Sequence, residues 1–294
     1  MNGRTGLTAA LIVMGIGWGL SVPLTKIAVS TGYQPFGLIF WQLVIVAVLL
    51  APINRARGKS LPMGRAQLEI FLMVALLGTI LPDAVAFMVA VHLPAGVMAI
   101  VLSVVPMITF PIALLLGIDR FNWLRIGGLI FGLIGILLLV GPEASLPERA
   151  MVAFIPLALF APICYGTEGN LVAYFGMRGM DAVQVLLGAS LVGLVFALPL
   201  ALATGQWIDP LVPWGRAEWA LVGSSVIHGL VYTGYVWLVG RAGSVFAAQV
   251  AYLVTGFGVI WSILLLGESY SAYIWAALAM MFAGIFLVQP RARE

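Results

Sequence analysis

Residues 6–29 read GLTAALIVMGIGWGLSVPLTKIAV, an apolar run interrupted by one charge, Lys26. A bilayer core about 30 Å thick is crossed by roughly 20 such residues in a helix, so this stretch alone predicts a membrane span. Arg4 ahead of the run resembles the basic start of a leader peptide. The run continues through Val29 and others like it follow, so the reading is an uncleaved first helix.

Nine further runs follow, each break carrying turn residues or charge. The ten predicted spans lie near 6–29, 35–53, 67–91, 95–116, 123–141, 150–175, 181–203, 217–239, 243–266 and 272–288. Composition agrees, because 63% of the 294 residues are hydrophobic and only 9% are charged. A soluble domain carries roughly 25% charged residues, and no polar stretch here is long enough for an aqueous domain to fold. The expectation is an all-α integral membrane protein of ten transmembrane helices.

Positive residues remain on the cytoplasmic side of a membrane. With these spans, Arg4, Arg55, Arg57, Lys59, Arg65, Arg120, Arg125, Arg178, Arg241, Arg291 and Arg293 share one side, and only Arg149 and Arg216 fall on the other. Both termini are therefore predicted to be cytoplasmic. The net charge of +3 follows from this topology and does not call for a nucleic-acid partner.

The two halves repeat. An offset of 147 places Trp18-Gly19 over Tyr165-Gly166 and Ala95-Gly96 over Ala242-Gly243. Slightly larger offsets match Gly117 with Gly267, Gly135 with Gly284 and Pro142 with Pro290. The predicted units are 1–146 and 147–294, with five helices each. Because five is odd, the second copy enters the membrane from the opposite face, which predicts two inverted repeats around a central cavity and alternating access to a midplane site.

Ionisable groups inside spans cost about 2.5–3.5 kcal/mol on insertion scales and invite a functional reading. There are four, Lys26, Asp83, Glu168 and His228. Lys26 either snorkels to the interface or pairs with Asp83 as an outer gate. His228, near the pseudo-twofold axis, either binds a proton or a substrate carboxyl or is a ring satisfied by a backbone carbonyl. Glu168, about 10 Å inside its helix at 1.5 Å per residue, either faces an inner vestibule or is hydrogen-bonded within its Pro-kinked helix.

Polar and aromatic side chains recur at helical spacing: Trp18, Ser21 and Thr25; His228, Tyr232 and Tyr235; Gln249 and Tyr252. Together they predict an amphipathic cavity for a small zwitterion or an aromatic molecule. The predicted substrate-binding set is Trp18, Ser21, Asp83, His228, Tyr232, Gln249 and Tyr252. The gating or coupling set is Lys26, Glu168, Pro106, Pro111, Gly256 and Gly258, since Pro23, Pro82, Pro106, Pro111, Pro156 and Pro162 kink their spans. Span nine carries the two glycines in place of prolines. Static packing kinks are the alternative. Gly15 with Gly19 and Gly128 with Gly132 offer close helix contacts, within the bundle or, through the fifth span, between two copies.

Other classes fit less well. The chain has none of the common hydrolase, metalloprotease or phosphate-loop motifs. Cys164 is the only cysteine and there are two histidines, which argues against a disulfide and a zinc site. No enzyme activity, cofactor or metal is expected. The expected partners are a small-molecule substrate, the lipid bilayer and, as a candidate coupling ion, the proton, with no ATPase domain and a monomer or weak dimer. A channel-like pore for small ions or solutes stays open as the alternative, with a receptor or scaffold third.

The stretch Gly17-Trp18-Gly19 with Pro23 and Lys26, the Ala-Gly starts of spans four and nine, and Leu266-Gly267-Glu268 resemble the drug/metabolite transporter superfamily, EamA type, and within it the YddG-like amino-acid exporters. The resemblance covers essentially the whole chain. It implies a ten-helix bundle with spans one to four and six to nine around the cavity, the fifth and tenth outside it, and export of amino acids or similar metabolites across the inner membrane. The first half departs from the Gly-Glu pattern, reading Gly117-Ile118-Asp119-Arg120. That turn is read as structural in both halves.

Overall fold

The computed structural model describes residues 4–140, 149–270 and 272–287. The predicted span ends at Gly141 and Val288, the Pro142 and Pro290 pair, the repeat boundary after residue 146, and Arg291 and Arg293 lie outside them. No strand occurs among the described residues. The α-helices are α1 Arg4–Ala28, α2 Pro35–Ala56, α3 Arg65–Ala75, α4 Leu81–Ala90, α5 Ala95–Leu102, α6 Val105–Leu115, α7 Trp123–Val140, α8 Ile155–Ala158, α9 Phe160–Phe175, α10 Ala182–Ala203, α11 Arg216–Ala242, α12 Ser244–Ala248, α13 Val250–Leu266 and α14 Ala272–Leu287.

Among the described residues, seven helical segments are long and apolar enough to cross a membrane: Thr5–Ala28, Pro35–Ala56, Arg65–Ala90, Ala95–Leu115, Ala182–Ala203, Arg216–Ala242 and Ser244–Leu266. The outward faces match lipid. Val13, Val48 and Val195 are each about two-thirds exposed, an arrangement a water-soluble helix avoids over so large a surface. Exposed Trp123 at one end of the bundle and Trp214 and Trp219 at the other sit where amphipathic rings anchor a protein at the lipid interface.

Local chemistry sets the helix ends. α2 starts on Pro35 after an extended Gln34, where the missing N–H is no loss. α10 starts in a capping box: the Asp181 carboxylate accepts from the Val183 and Gln184 N–H groups, and Gln184 Oε1 accepts from the Asp181 N–H. α13 ends on Gly267 at φ +67°, a left-handed conformation that favours glycine.

Helical interruptions gather on four rods. A π-turn at Leu76–Ile80 separates α3 from α4, ending two residues before Pro82, whose ring and missing N–H disturb the preceding turn. Ser103 and Val104 separate α5 from α6, just ahead of Pro106. Around Pro156, the 3-10 turn Arg149–Phe154 leads into α8, and Leu159 separates α8 from α9. The fourth break falls at Gln249, between α12 and α13. Gly256 and Gly258, read as soft hinges, lie within unbroken α13, and Pro111 lies within unbroken α6. Gly256 instead seats the Phe282 ring of α14, and Gly258 meets Ala99 of α5.

Packing pairs the halves. α1 lies against α11 and α13, α9 against α4 and α6, α2 against α10, α5 against α13, and α7 against α14. The α1–α13 crossing uses Gly15 and Gly19, and the α7–α14 crossing uses Gly284 against the Gly128 backbone. Both small-residue faces are thus occupied within the bundle.

Chain direction defines two ends. At the Lys26 end, Phe36 N–H donates to Gln206, Trp41 Nε1 donates to the Ile208 carbonyl, and the Tyr33 hydroxyl donates to Glu218 at 2.5 Å. At the Asp181 end, that carboxylate accepts from Arg57 at 2.7 Å and Lys59 at 2.6 Å, while Gln184 Nε2 donates to the Ser60 carbonyl. Partial burial alone would raise the Asp181 pKa, but the Arg57, Lys59 and Gln184 hydrogen bonds outweigh it and hold it at about 2. A carboxyl lowered from 3.8 stabilises the fold fully above about pH 4, and that contribution disappears as pH falls through about 2. Because solvent screens the partly exposed Arg57 and Lys59 partners, Asp181→Asn is expected to destabilise the protein by about 1 kcal/mol at neutral pH. Thermal melting should show that difference at pH 7, shrinking at the lowest pH the protein tolerates.

Candidate functional site: a polar cavity in the bundle

A cavity of about 160 Å³ lies inside the bundle. At roughly 30 Å³ per molecule in the liquid it has room for about five waters. Its walls come from α1, α2, the π-turn with α4, α5, α6, α8, α9, α11, α12 and α13, while α7, α10 and α14 contribute none of the lining residues.

α1 supplies Trp18, Ser21 and Thr25 from one face. The Ser21 hydroxyl donates to the Trp18 carbonyl at 2.7 Å and the Thr25 hydroxyl to the Ser21 carbonyl at 3.0 Å. α11 supplies Ser224, His228, Tyr232 and Tyr235. The indole of Trp18 lies 6.0 Å from the Tyr232 ring and 5.4 Å from the Tyr235 ring, and His228 stands edge-on to Tyr232 at 5.1 Å. Gly78 in the π-turn leaves room for the Tyr232 hydroxyl, and Gly169 for that of Tyr235.

Two carboxyl groups face the cavity. Asp83, 8% exposed, accepts from Gln42 Nε2 at 2.6 Å and from the Tyr165 hydroxyl at 3.0 Å. Glu168, 1% exposed, has an oxygen, Oε1, with no hydrogen-bond partner. Tyr165, Tyr232 and Tyr235 lie near it.

The structure brings Trp18, Ser21, Asp83, His228 and Tyr232 of the predicted binding set, and Glu168 of the coupling set, to this one cavity. It places Gln249 and Tyr252 elsewhere. Gln249 is fully buried and donates to the Val245 carbonyl at 3.1 Å. Tyr252 packs with Ile100, Val259 and Leu278 and lies over Gly132 of α7. From this rod Ala248, Val250, Ala251 and Val254 line the cavity in their place. Pro106, Pro111, Gly256 and Gly258 do not reach the lining either.

Lys26 and Asp83 do not pair. Asp83 is held by neutral donors, and the Lys26 ammonium donates to the carbonyls of Ala90 at 2.6 Å, Val91 at 3.2 Å and Leu93 at 3.0 Å. A chain end rich in unpaired carbonyls competes well for a cation. Beside it, Glu268 accepts from the Ala95 N–H at 2.9 Å and the Gly96 N–H at 3.1 Å, and from the Tyr270 hydroxyl. The ends of α1, α4, α5 and α13 are thereby tied together. At the Asp181 end the repeat-related positions, Ala173 and Ile118, line a cleft of about 1030 Å³.

Gln42 and Tyr165 were not among the predicted site residues. The repeat held a signal for one of them, since Tyr165 is the mate of Trp18 at the offset of 147. Ser21 with Glu168 and Val101 with Ala248 are mates at the same offset, and all six residues line the cavity.

A lipid-facing helical bundle around a buried polar cavity has the form of a solute transporter. The EamA-like transporter family model matches the chain twice, over residues 5–141 and 153–289. The chain belongs to the EamA-like transporter family and is a multi-pass membrane protein. It is 24% identical to a probable terminal-alkyne amino-acid exporter of Streptantibioticus cattleyicolor over 96% of this chain and 93% of that protein. It is 26% identical to the uncharacterized inner membrane transporter YedA of Escherichia coli K12, over 96% and 90% of the two chains. A crystal structure at 16% identity superposes with a TM-score of 0.71, covering 97% of this chain and 96% of that one, and supports the fold alone.

Proposed function

We propose that this protein exports amino acids or closely similar metabolites across the inner membrane by alternating access to the central cavity, and that it carries out no chemical reaction. The observation that carries the reading is the cavity itself, walled by repeat-related residue pairs. The full reading has ten spans in two inverted five-helix repeats, 1–146 and 147–294, with both termini cytoplasmic. Its support is the pairing of helices between halves, the double family match and the concentration of Lys and Arg at the Asp181 end. The relative named as an amino-acid exporter favours the substrate class.

In this scheme the tied Lys26 end is the closed outer side, and the cleft at the Asp181 end leads in from the cytoplasm. Rocking of one half against the other exchanges the two, with the broken rods α3–α4, α5–α6, α8–α9 and α12–α13 absorbing the change. Protons are the proposed coupling ion, with Glu168 as the exchangeable group. Flux in proteoliposomes, using labelled neutral, aromatic and charged amino acids with and without a proton gradient, tests the scheme. Saturable amino-acid flux that responds to the gradient is expected, and absence of flux for the whole panel would remove the amino-acid assignment.

A further inference from the structure

Of the cavity's hydroxyls, that of Tyr165 donates to Asp83 and that of Tyr232 lies near the Glu168 carboxyl, while the serine and threonine hydroxyls are committed to backbone carbonyls, Ser21 to Trp18, Thr25 to Ser21 and Ser224 to Leu221. What they offer a ligand is lone pairs. Asp83 and Glu168 add two carboxyl groups, and no lysine or arginine lines the cavity among the described residues. The nearest lysine in the sequence of α1, Lys26, is held by three carbonyls at the end of the bundle.

A buried carboxyl without a cationic neighbour is costly, and a ligand that brings the cation relieves that cost. Aromatic faces add to the preference, because a cation within about 6 Å of a ring centroid is attracted by its quadrupole. Trp18, Tyr232 and Tyr235 surround the same space with centroids 5.4–6.3 Å apart. Glu168 Oε1, buried and outside hydrogen-bonding geometry with any group, belongs to a carboxyl that lies close to the Tyr232 hydroxyl and to Tyr235.

We propose that the cavity recognises its substrate by a cationic amine, seated between the Glu168 carboxylate and the rings of Trp18, Tyr232 and Tyr235, and that it provides no lysine or arginine for a substrate carboxylate. This rests on the reading of the cavity as the substrate site. It narrows the substrate class to compounds with a free ammonium group and adds amines that lack a carboxylate.

Three matched compounds test it: leucine, its decarboxylated amine isoamylamine, and isocaproate, which keeps the carboxylate and lacks the amine. Binding to the full chain in lipid nanodiscs is followed by ligand-induced thermal stabilisation. Isoamylamine is expected to bind at least as tightly as leucine and at least tenfold more tightly than isocaproate. Glu168→Gln, close to the native side chain in shape, should weaken isoamylamine at least tenfold and leave isocaproate unchanged. Isocaproate binding as well as isoamylamine, no binding of isoamylamine, or full amine affinity in a folded E168Q protein would each overturn the proposal. Should E168Q fail to fold, the three compounds on the native protein decide the matter. Flux of the same compounds separates the two readings: leucine carried with isocaproate preferred removes the amine site and keeps the transporter, whereas isoamylamine bound but nothing carried removes the transport reading.

Discussion

Lys26→Met is expected to open the end of the bundle that carries Lys26 and to lower transport at least tenfold. The ammonium satisfies the carbonyls of Ala90, Val91 and Leu93, which close the seam between α1 and the α4–α5 corner. Hydrogen bonds from a charged group contribute about 1.5–3 kcal/mol. A net loss of about 3 kcal/mol moves a two-state equilibrium by about a hundredfold. Methionine keeps much of the stem and removes every donor, so the effect reports the bonds and not the packing. Spin labels at Thr31→Cys and Val91→Cys, with Cys164 replaced, should show a short distance in the parent protein and a longer, dominant one in the variant. An unchanged distance distribution would mean that Lys26 only anchors at the lipid interface.

Gly19→Leu is expected to abolish the folded protein. A Cβ at this position would stand 2.7 Å from Phe257 Cβ, 2.9 Å from the Gly258 nitrogen and 3.0 Å from the Phe257 carbonyl carbon. Two of those neighbours are backbone and cannot turn aside. Overpacking usually costs 1–3 kcal/mol and more where nothing yields, so a loss above about 3 kcal/mol is expected, enough to remove the monodisperse peak on size-exclusion chromatography. Gly223→Ala is the control, because its Cβ would meet Leu24 at an ordinary 3.5 Å. Normal folding of Gly19→Leu would contradict the α1–α13 contact.

Much of the fold was legible because lipid imposes a simple rule, that breaks in apolar runs are loops. Pro82 and Pro106 marked two interruptions of rods through a missing donor. The break at Gln249 carried no such mark. It lies on the rod of Gly256 and Gly258, and those glycines turned out to serve close contacts with Phe282 and Ala99. Flexibility of the residue alone did not distinguish a hinge from a crossing point.

The site was partly legible for the same reason. A polar or ionisable side chain in a span has to face inward, and Trp18, Ser21, Asp83, Glu168, His228 and Tyr232 do. Inward is not one place. Gln249 and Tyr252 also face protein, but Tyr252 packs towards α7 and Gln249, at the break, bonds to its own backbone. Of the two readings of Lys26, the pairing with Asp83 rested on charge alone and is not what the structure shows. Backbone carbonyls at the end of α4 took the ammonium, and neutral donors, Gln42 and Tyr165, took the carboxylate.

The central claim is that the cavity opens to one side at a time, and a single cysteine in its wall tests this directly. Ser224 lines the cavity at 4% exposure, and Ser224→Cys in a Cys164→Ala background changes its shape little. Membrane-impermeant thiol reagents are applied from either face of oriented vesicles, with and without substrate. Alternating access predicts labelling chiefly from the face bearing the Asp181 cluster at rest, with substrate changing the ratio between faces. Equal, simultaneous labelling from both faces, insensitive to substrate, would contradict the account and indicate a continuous pore.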